Sequence, residues 1–235
     1  MKLSIIIPVY NEKSTILKIL EKIKNINLYV DKEIIIVDDC STDGTTNILK
    51  NLKDKNIKII YGKKNQGKGS SIITGLKYVT GDYVIIQDAD LEYNPEEYKK
   101  LLDISIKNDL DVVYGSRFLN KKYKDFKKTQ KNFIFIHYIG NKILSLITTL
   151  LYGKLITDME TCYKLIKTPI IKNLNLKAKR FDIEPEITTK LLKNKYKIKE
   201  IPITFKARDF EHGKKINWKD GLKAFYYLVK YKFIN

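Results

Sequence analysis

Short apolar runs alternate with segments of helical periodicity over the first half of the chain. Residues 3–7, 33–37, 57–60 and 83–87 are compact runs rich in Ile and Val, bounded by polar or glycine-containing stretches, as buried strands are. Between them, residues 14–24 space Ile16, Leu17, Ile19, Leu20 and Ile23 along one stripe. A second helix after Gly44 turns Ile48, Leu49 and Leu52 inward, and a third runs from Ser70 to about Val79. Asn94 ahead of Pro95, with Glu96 and Glu97 behind, predicts a further helix that begins at Pro95 with Asn94 as its cap. Strands alternating with helices read as βα units, an α/β fold with a mainly parallel sheet and helices on both faces. Ligands of such sheets sit beyond the carboxyl ends of the strands.

The second half is less regular. Residues 111–117 form another strand, ending in Arg117, and residues 121–131 are strongly basic. Residues 133–152 carry one formal charge, Lys142, with Asn141 beside it and His137, Thr148 and Thr149 in the same run. A lysine at the centre of a membrane helix costs about 2.5–3.5 kcal/mol, so a spanning helix is not expected. Gly140 is expected to split the run into two helices lying on a surface, or buried as a core pair. Residues 163–166 and 197–205 read as extended, and residues 181–186 lead into a helix ending near Lys193. In residues 217–233, Trp218, Leu222, Phe225 and Val229 share a face surrounded by lysines and tyrosines. That pattern suits an interfacial membrane helix or one packed back on the domain.

Composition adds a partner class. The 235 residues hold 45 Lys and Arg against 27 Asp and Glu, a net charge of +18, which predicts an anionic partner. Cys40 and Cys162 have no metal or disulfide spacing, so a reducing compartment is expected. Met1-Lys2 runs into a short apolar stretch ended by Pro8 and does not read as a signal peptide. A cytoplasmic protein, peripheral at a membrane, is the expectation.

The loops at the predicted carboxyl ends hold the unusual residues. They are Tyr10 to Glu12, Asp38 to Asp43, Asn65 to Gly69 and Asp88 to Glu92. On extended chain Asp88, Asp90 and Glu92 would place three carboxylates on one side, and a divalent cation is the usual relief of their repulsion. A Rossmann dinucleotide site is disfavoured: the loop after the first strand has no glycine, and Gly67-Lys68-Gly69 is too short a turn for that fingerprint. A sugar-1-phosphate nucleotidyltransferase would need a glycine-rich loop near the N-terminus. A non-enzymatic membrane- or nucleic-acid-binding protein would explain +18 but not the clustered acids, so nucleic acid is not an expected partner.

Six segments in order carry a family resemblance: IIIPVYNE (5–12), IIIVDDCSTDGT (34–45), KNQGKG (64–69), GDYVIIQDADLEYNPE (81–96), VVYGSR (112–117) and TDMETCYK (157–164). Together they resemble the family-2 inverting glycosyltransferases of GT-A fold, especially the polyprenyl-phosphate sugar synthases such as dolichyl-phosphate mannose synthase. The resemblance implies a nucleotide-sugar donor of GDP-mannose or UDP-glucose type and a polyprenyl phosphate acceptor at a membrane surface. A hydroxyl of a soluble glycan or glycolipid is the alternative acceptor. Residues 1–120 would form the donor half, residues 121–216 the acceptor half and residues 217–235 an amphipathic tail. By the same resemblance Pro8, Tyr10 and Glu12 line the base and ribose, and Asp39 hydrogen-bonds the base. Asp88, Ala89 and Asp90 form the DXD motif, aided by Lys68, with Asp90 and Glu92 resembling ligands of Mg²⁺ or Mn²⁺. Arg117 would hold the acceptor's phosphate, with Lys131 and Lys214 nearby. Were the acceptor a hydroxyl, Asp158, ahead of Glu184, would take its proton. The family usually has Gln where this chain has Glu92, and Ser-Gly where it has Thr161-Cys162.

Overall fold

The computed structural model describes residues 1–120, 133–206 and 218–233. Among them, seven strands form one sheet in the order β3-β2-β1-β4-β6-β5-β7. β1 (Lys2–Val9), β2 (Asp31–Asp38), β3 (Ile57–Tyr61) and β4 (Tyr83–Ile86) pair in parallel. β5 (Val112–Ser116) and β7 (Ile198–Pro202) are likewise parallel, and β6 (Lys164–Lys167) lies antiparallel between β4 and β5. Ile5, Ile6, Ile7, Val84, Ile85 and Ile86 have no exposed surface. Helices cover both faces, which is why these strands read as unbroken apolar runs.

Each of the first four strands leads into a helix: α1 (Ile16–Asn25), α2 (Thr45–Lys50), α3 (Lys68–Leu76) and α4 (Glu97–Lys107). α4 begins two residues later than Pro95. The Asn94 carboxamide accepts the Glu96 amide at 3.3 Å while the Asn94 carbonyl accepts the Glu97 amide at 3.1 Å. Asn94 and Pro95 therefore shape a turn ahead of the helix instead of opening it.

α5 (Phe133–Tyr152) is one continuous helix, so Gly140 does not split it. A helical glycine costs only about 1 kcal/mol against alanine, and tertiary anchors outweigh that. Asn141 Nδ2 donates to the Thr157 carbonyl, and Tyr152 Oη donates to the Leu228 carbonyl at 2.9 Å. The inward face is partly polar, with Asn141, Ser145 and Thr148 buried, whereas Ile143, Leu146 and Leu150 face outward at 53%, 59% and 75% exposure. Among the described residues no helix is long and apolar enough to cross a membrane.

α6 (Thr168–Asn173) and α7 (Ile183–Lys193) precede β7, and α8 (Trp218–Phe233) packs on α5 and α7. The inward side of α8 is Ala224, Leu228 and Tyr231. Phe225, read from the sequence as part of one apolar face, is 45% exposed next to Tyr226. Lys193 of α7 donates to the Tyr231 carbonyl of α8, and Lys232 of α8 donates to the Leu151 carbonyl of α5. The basic run 121–131 with Lys131, and Lys214 in the segment before α8, lie outside the described residues.

Candidate active site

The parallel strands bring four loops to one end of the sheet, and polar side chains stitch those loops together. The Asn11 amide donates to Ser41 Oγ, Glu12 N–H to Thr45 Oγ1 and Lys13 N–H to Asp43 Oδ2, each at 3.0 Å. Pro8 is the penultimate residue of β1, followed after Val9 by Tyr10, which is half-buried, and Glu12, which is buried. Asp39 accepts the Gln66 amide at 2.8 Å and the Gly67 amide at 2.7 Å. It thereby fixes the turn from which Lys68 projects.

That turn needs its glycines. Gly67 has φ +97°, and a Cβ there would meet the Lys179 carbonyl oxygen at 2.5 Å; a Cβ on Gly69 would meet the Ala178 carbonyl oxygen at the same distance. The amides of Gly69 and Ser70, at the start of α3, donate to the Arg180 and Lys179 carbonyls. Close backbone approach, with no side chain between, explains these glycines.

The stretch after β4 is a turn and not an extension of the strand: the strand ends at Ile86, and Leu91 takes φ +66°. Asp88, Asp90 and Glu92 therefore do not alternate along one side as extended chain would require. Asp88 ion-pairs with Lys68 at 2.8 Å, Ala89 is buried, and Asp90 accepts the Glu92 amide at 3.0 Å. Burial works against the Lys68 charge, yet Asp88, Cys162 and Glu184 together raise its pKa well above the ordinary value. Gln87 holds the turn from beneath: its carboxamide oxygen accepts Tyr163 Oη at 2.6 Å and Tyr98 Oη, and its Nε2 donates to the Asp88 carbonyl at 2.9 Å.

The antiparallel β6 makes this site composite. It runs back from the carboxyl end of β4, so the loop before it, which holds Asp158 and Glu160, lands beside Arg117 at the end of β5. Arg117 is not a lone cation. Its Nε and Nη2 donate to the two oxygens of Asp158 at 2.8 Å, and its backbone amide adds a third bond to Asp158. Asp158 is fully buried, and its own amide donates to Glu200. The aromatic rings of Tyr93, Phe118 and Phe205 surround the guanidinium at 5.1–5.9 Å, a setting that favours a cation.

A partly buried line of alternating charge links the turn after β4 to α7 and β6. Asp88 pairs with Lys68, Lys68 lies 3.3 Å from Glu184 Oε1, and Glu184 Oε2 pairs with the wholly buried Lys164. Lys164 also donates to the Met159 and Thr161 carbonyls. Burial pushes the Cys162 thiol well above its usual range, and its Sγ donates to the Ile86 carbonyl at 3.2 Å. It packs there as a core side chain.

A sheet of this order, with the acid-bearing turn after β4 and an antiparallel strand beside it, has known counterparts. The glycosyl transferase family 2 model matches residues 4–174. The chain belongs to glycosyl transferase family 2. Its fold is that of the GT-A glycosyltransferases, and it is an enzyme of that class. It is 34% identical to a UDP-N-acetylglucosamine–dolichyl-phosphate N-acetylglucosaminyltransferase of Methanococcus voltae, over 97% of this chain and 95% of that protein. It is 32% identical to a dolichol-phosphate mannosyltransferase of Pyrococcus furiosus over 88% of this chain, spanning 57% of that longer protein. Glucosyl-3-phosphoglycerate synthase from Mycobacterium tuberculosis, crystallised with Mn²⁺, UDP and phosphoglyceric acid, superposes with a TM-score of 0.70. That match covers 100% of this chain and 79% of the other at 15% identity, a likeness of fold.

Sequence reasoning did not find Gln87, Lys164, Glu200 or Glu160. The acidic pair Asp158 and Glu160 ahead of Lys164 was the available signal, and its meaning depends on burial by distant elements.

Proposed function

We propose that this glycosyltransferase moves a hexose from a nucleoside diphosphate sugar, with inversion, to a polyprenyl phosphate. The observation that carries this is the part-buried Arg117 guanidinium, ringed by aromatic side chains at the same sheet end as the Asp88–Asp90 turn. Asp158 takes Nε and Nη2, two of the guanidinium's five N–H donors, and a guanidinium with donors to spare suits a phosphate. Both relatives described above act on dolichyl phosphate by name. The UDP-N-acetylglucosamine in the first name widens the donor classes beyond GDP-mannose and UDP-glucose.

Asp90 and Glu92 offer hard oxygen donors on a partly exposed turn. Among the described residues they form no group of three metal-binding side chains. Two carboxylates with the rest of the shell from substrate phosphates is the donor set that suits Mg²⁺ or Mn²⁺. Bound there, such an ion would neutralise charge on the departing nucleoside diphosphate. Lys68, fixed by Asp88 and Glu184, adds a positive charge from the other side of the turn. A phosphate acceptor is already anionic, so its oxygen attacks the anomeric carbon without a protein base. Asp158 then acts as the anchor that orients Arg117.

A peripheral membrane setting fits the same reading. The outward stripe Ile143, Leu146 and Leu150 of α5 and the exposed Phe225, Tyr226 and Phe233 of α8 could enter a bilayer surface, while the net charge of +18 draws the protein to anionic lipid. The test is incubation with Mg²⁺, a labelled nucleotide sugar and a short-chain polyprenyl phosphate, over UDP-N-acetylglucosamine, UDP-glucose and GDP-mannose. Label should enter the organic phase with inverted anomeric configuration for one donor. Label that stays in water with every donor contradicts the proposal.

A further inference from the structure

β4 reads Tyr-Val-Ile-Ile, all buried, and the residue after it, Gln87, is polar yet has no exposed surface. A buried carboxamide costs free energy unless its hydrogen bonds are made, and here they reach three separate elements. Its Oε1 accepts Tyr98 Oη from α4 and, at 2.6 Å, Tyr163 Oη from the residue before β6. Both tyrosines are wholly buried, so neither hydroxyl can turn to water instead. The two hydroxyls fill the lone pairs of Oε1 and set the direction of the other end. Nε2 then donates to the Asp88 carbonyl at 2.9 Å, while the Gln87 amide donates to the Ile6 carbonyl of β1 at 2.9 Å.

That Nε2 bond reaches a turn that needs holding. Leu91 takes φ +66°, which a side chain other than glycine keeps only where its surroundings enforce it. Asp90 and Glu92, the oxygen donors suited to Mg²⁺ or Mn²⁺, flank Leu91 on either side. We propose that Gln87 is the positioning residue of this metal turn: its bond to the Asp88 carbonyl sets where the Asp90 and Glu92 carboxylates stand, and so sets the affinity for a metal–nucleotide complex. This rests on the metal reading of the turn given above. Wholly buried, Gln87 acts through the backbone of the turn and not on the ligand itself. Its other end ties the turn to the acceptor side. The Tyr163 ring lies 4.7 Å from the Tyr93 ring, and the Tyr93 ring lies 5.9 Å from the Arg117 guanidinium.

The experiment titrates Mn²⁺ into the full chain with UDP present, and in parallel with GDP, following free Mn²⁺ by electron paramagnetic resonance alongside thermal melts. Gln87→Met keeps the bulk of the side chain without its hydrogen bonds. It should raise the Mn²⁺ Kd about tenfold or more, as loss of a partner behind a metal ligand does. It also strands two buried phenols, so its melting temperature should fall. Adding Tyr98→Phe and Tyr163→Phe to Gln87→Met removes those hydroxyls and should recover stability, while Mn²⁺ binding stays as weak as in the single variant. Tyr98→Phe alone keeps the bond to Asp88 and should cost stability with the Mn²⁺ Kd within about twofold of wild type. Where Gln87→Met does not fold, the triple variant against wild type decides. Mn²⁺ affinity that returns together with stability in the triple variant overturns the proposal, since Gln87 would then only support the fold. Wild-type affinity in Gln87→Met overturns it too, as does a loss in Tyr98→Phe as large as that in Gln87→Met. Absence of Mn²⁺ binding by the wild type with either nucleotide sinks the metal reading and this proposal with it, and shows before any variant is compared.

Discussion

Glu33 and Glu160 lie at opposite ends of the same sheet and have opposite fates. Glu33, at the amino end of β2, accepts from Ser4 Oγ, the Thr80 amide and hydroxyl, the Gly81 amide and Lys2 Nζ. Burial would raise its pKa, but those hydrogen bonds outweigh it and hold the carboxyl down at about 2. Glu160, at the carboxyl end, has a buried oxygen with no partner and a pKa pushed up to about 7 by burial and Glu184. One carboxylate is saturated by the fold, and the other is left with an unpartnered oxygen. The amino end ties its carboxylate down with a dense set of hydrogen bonds, whereas the carboxyl end joins its loops through ion pairs between distant residues.

The sharpest way to break this comparison is Asp90→Asn. It removes one charge from a partly exposed turn, so transfer should fall by about a hundredfold or more with the melting temperature nearly unchanged. Turnover close to wild type, or full activity in excess chelator, would take the metal role from this turn.

Arg117→Ala comes next and mixes both effects. It strands Asp158, fully buried, without its partner, which costs about 3–5 kcal/mol. In the folded fraction, the acceptor KM should rise far more than the donor KM. An equal rise in both would make Arg117 part of the donor site.

Glu33→Gln should show the reverse pattern, with stability down by about 1–3 kcal/mol and kcat unchanged. The pH dependence follows from the sign of the shift. Because the folded pKa lies below 4.5, the stabilisation is complete above that pH and fades as pH falls toward 2. Denaturant titration at several pH values reads this directly. A large loss of kcat at unchanged stability would erase the distinction between the two ends.

Glu160 is shifted as far as Glu33 but in the opposite sense. Its folded pKa lies above 4.5, so the folded state binds more protons there and stability declines as pH rises from 4.5 to about 7. Glu160→Gln should flatten that decline. The same slope in both proteins would place the titrating group elsewhere.

The sequence revealed the amino end and the parallel strands well, because their apolar runs are local and their burial is two-sided. It also located the loops at the carboxyl end. It did not show how those loops interlock. The turn at Leu91 undoes the expected alternation of Asp88, Asp90 and Glu92 because one residue at positive φ redirects the chain. Gly140 did not break its helix because Asn141 and Tyr152 tie that helix to distant residues. The ion pair of Arg117 was not legible because its partner lies 41 positions away. Glu160 was silent for the same reason: its neighbours Glu184, Lys164 and Arg117 come from three separate elements.

Discrimination between a phosphate and an alcohol tests the central claim most directly. Wild-type protein, Mg²⁺ and a competent nucleotide sugar are mixed with equal amounts of a polyprenyl phosphate and the matching polyprenol, and the labelled products are separated. Sugar should appear on the phosphate alone, since the Arg117 guanidinium in the proposed acceptor site favours an anion. Transfer to the alcohol at a comparable rate would contradict a carboxyl end built to hold an acceptor phosphate.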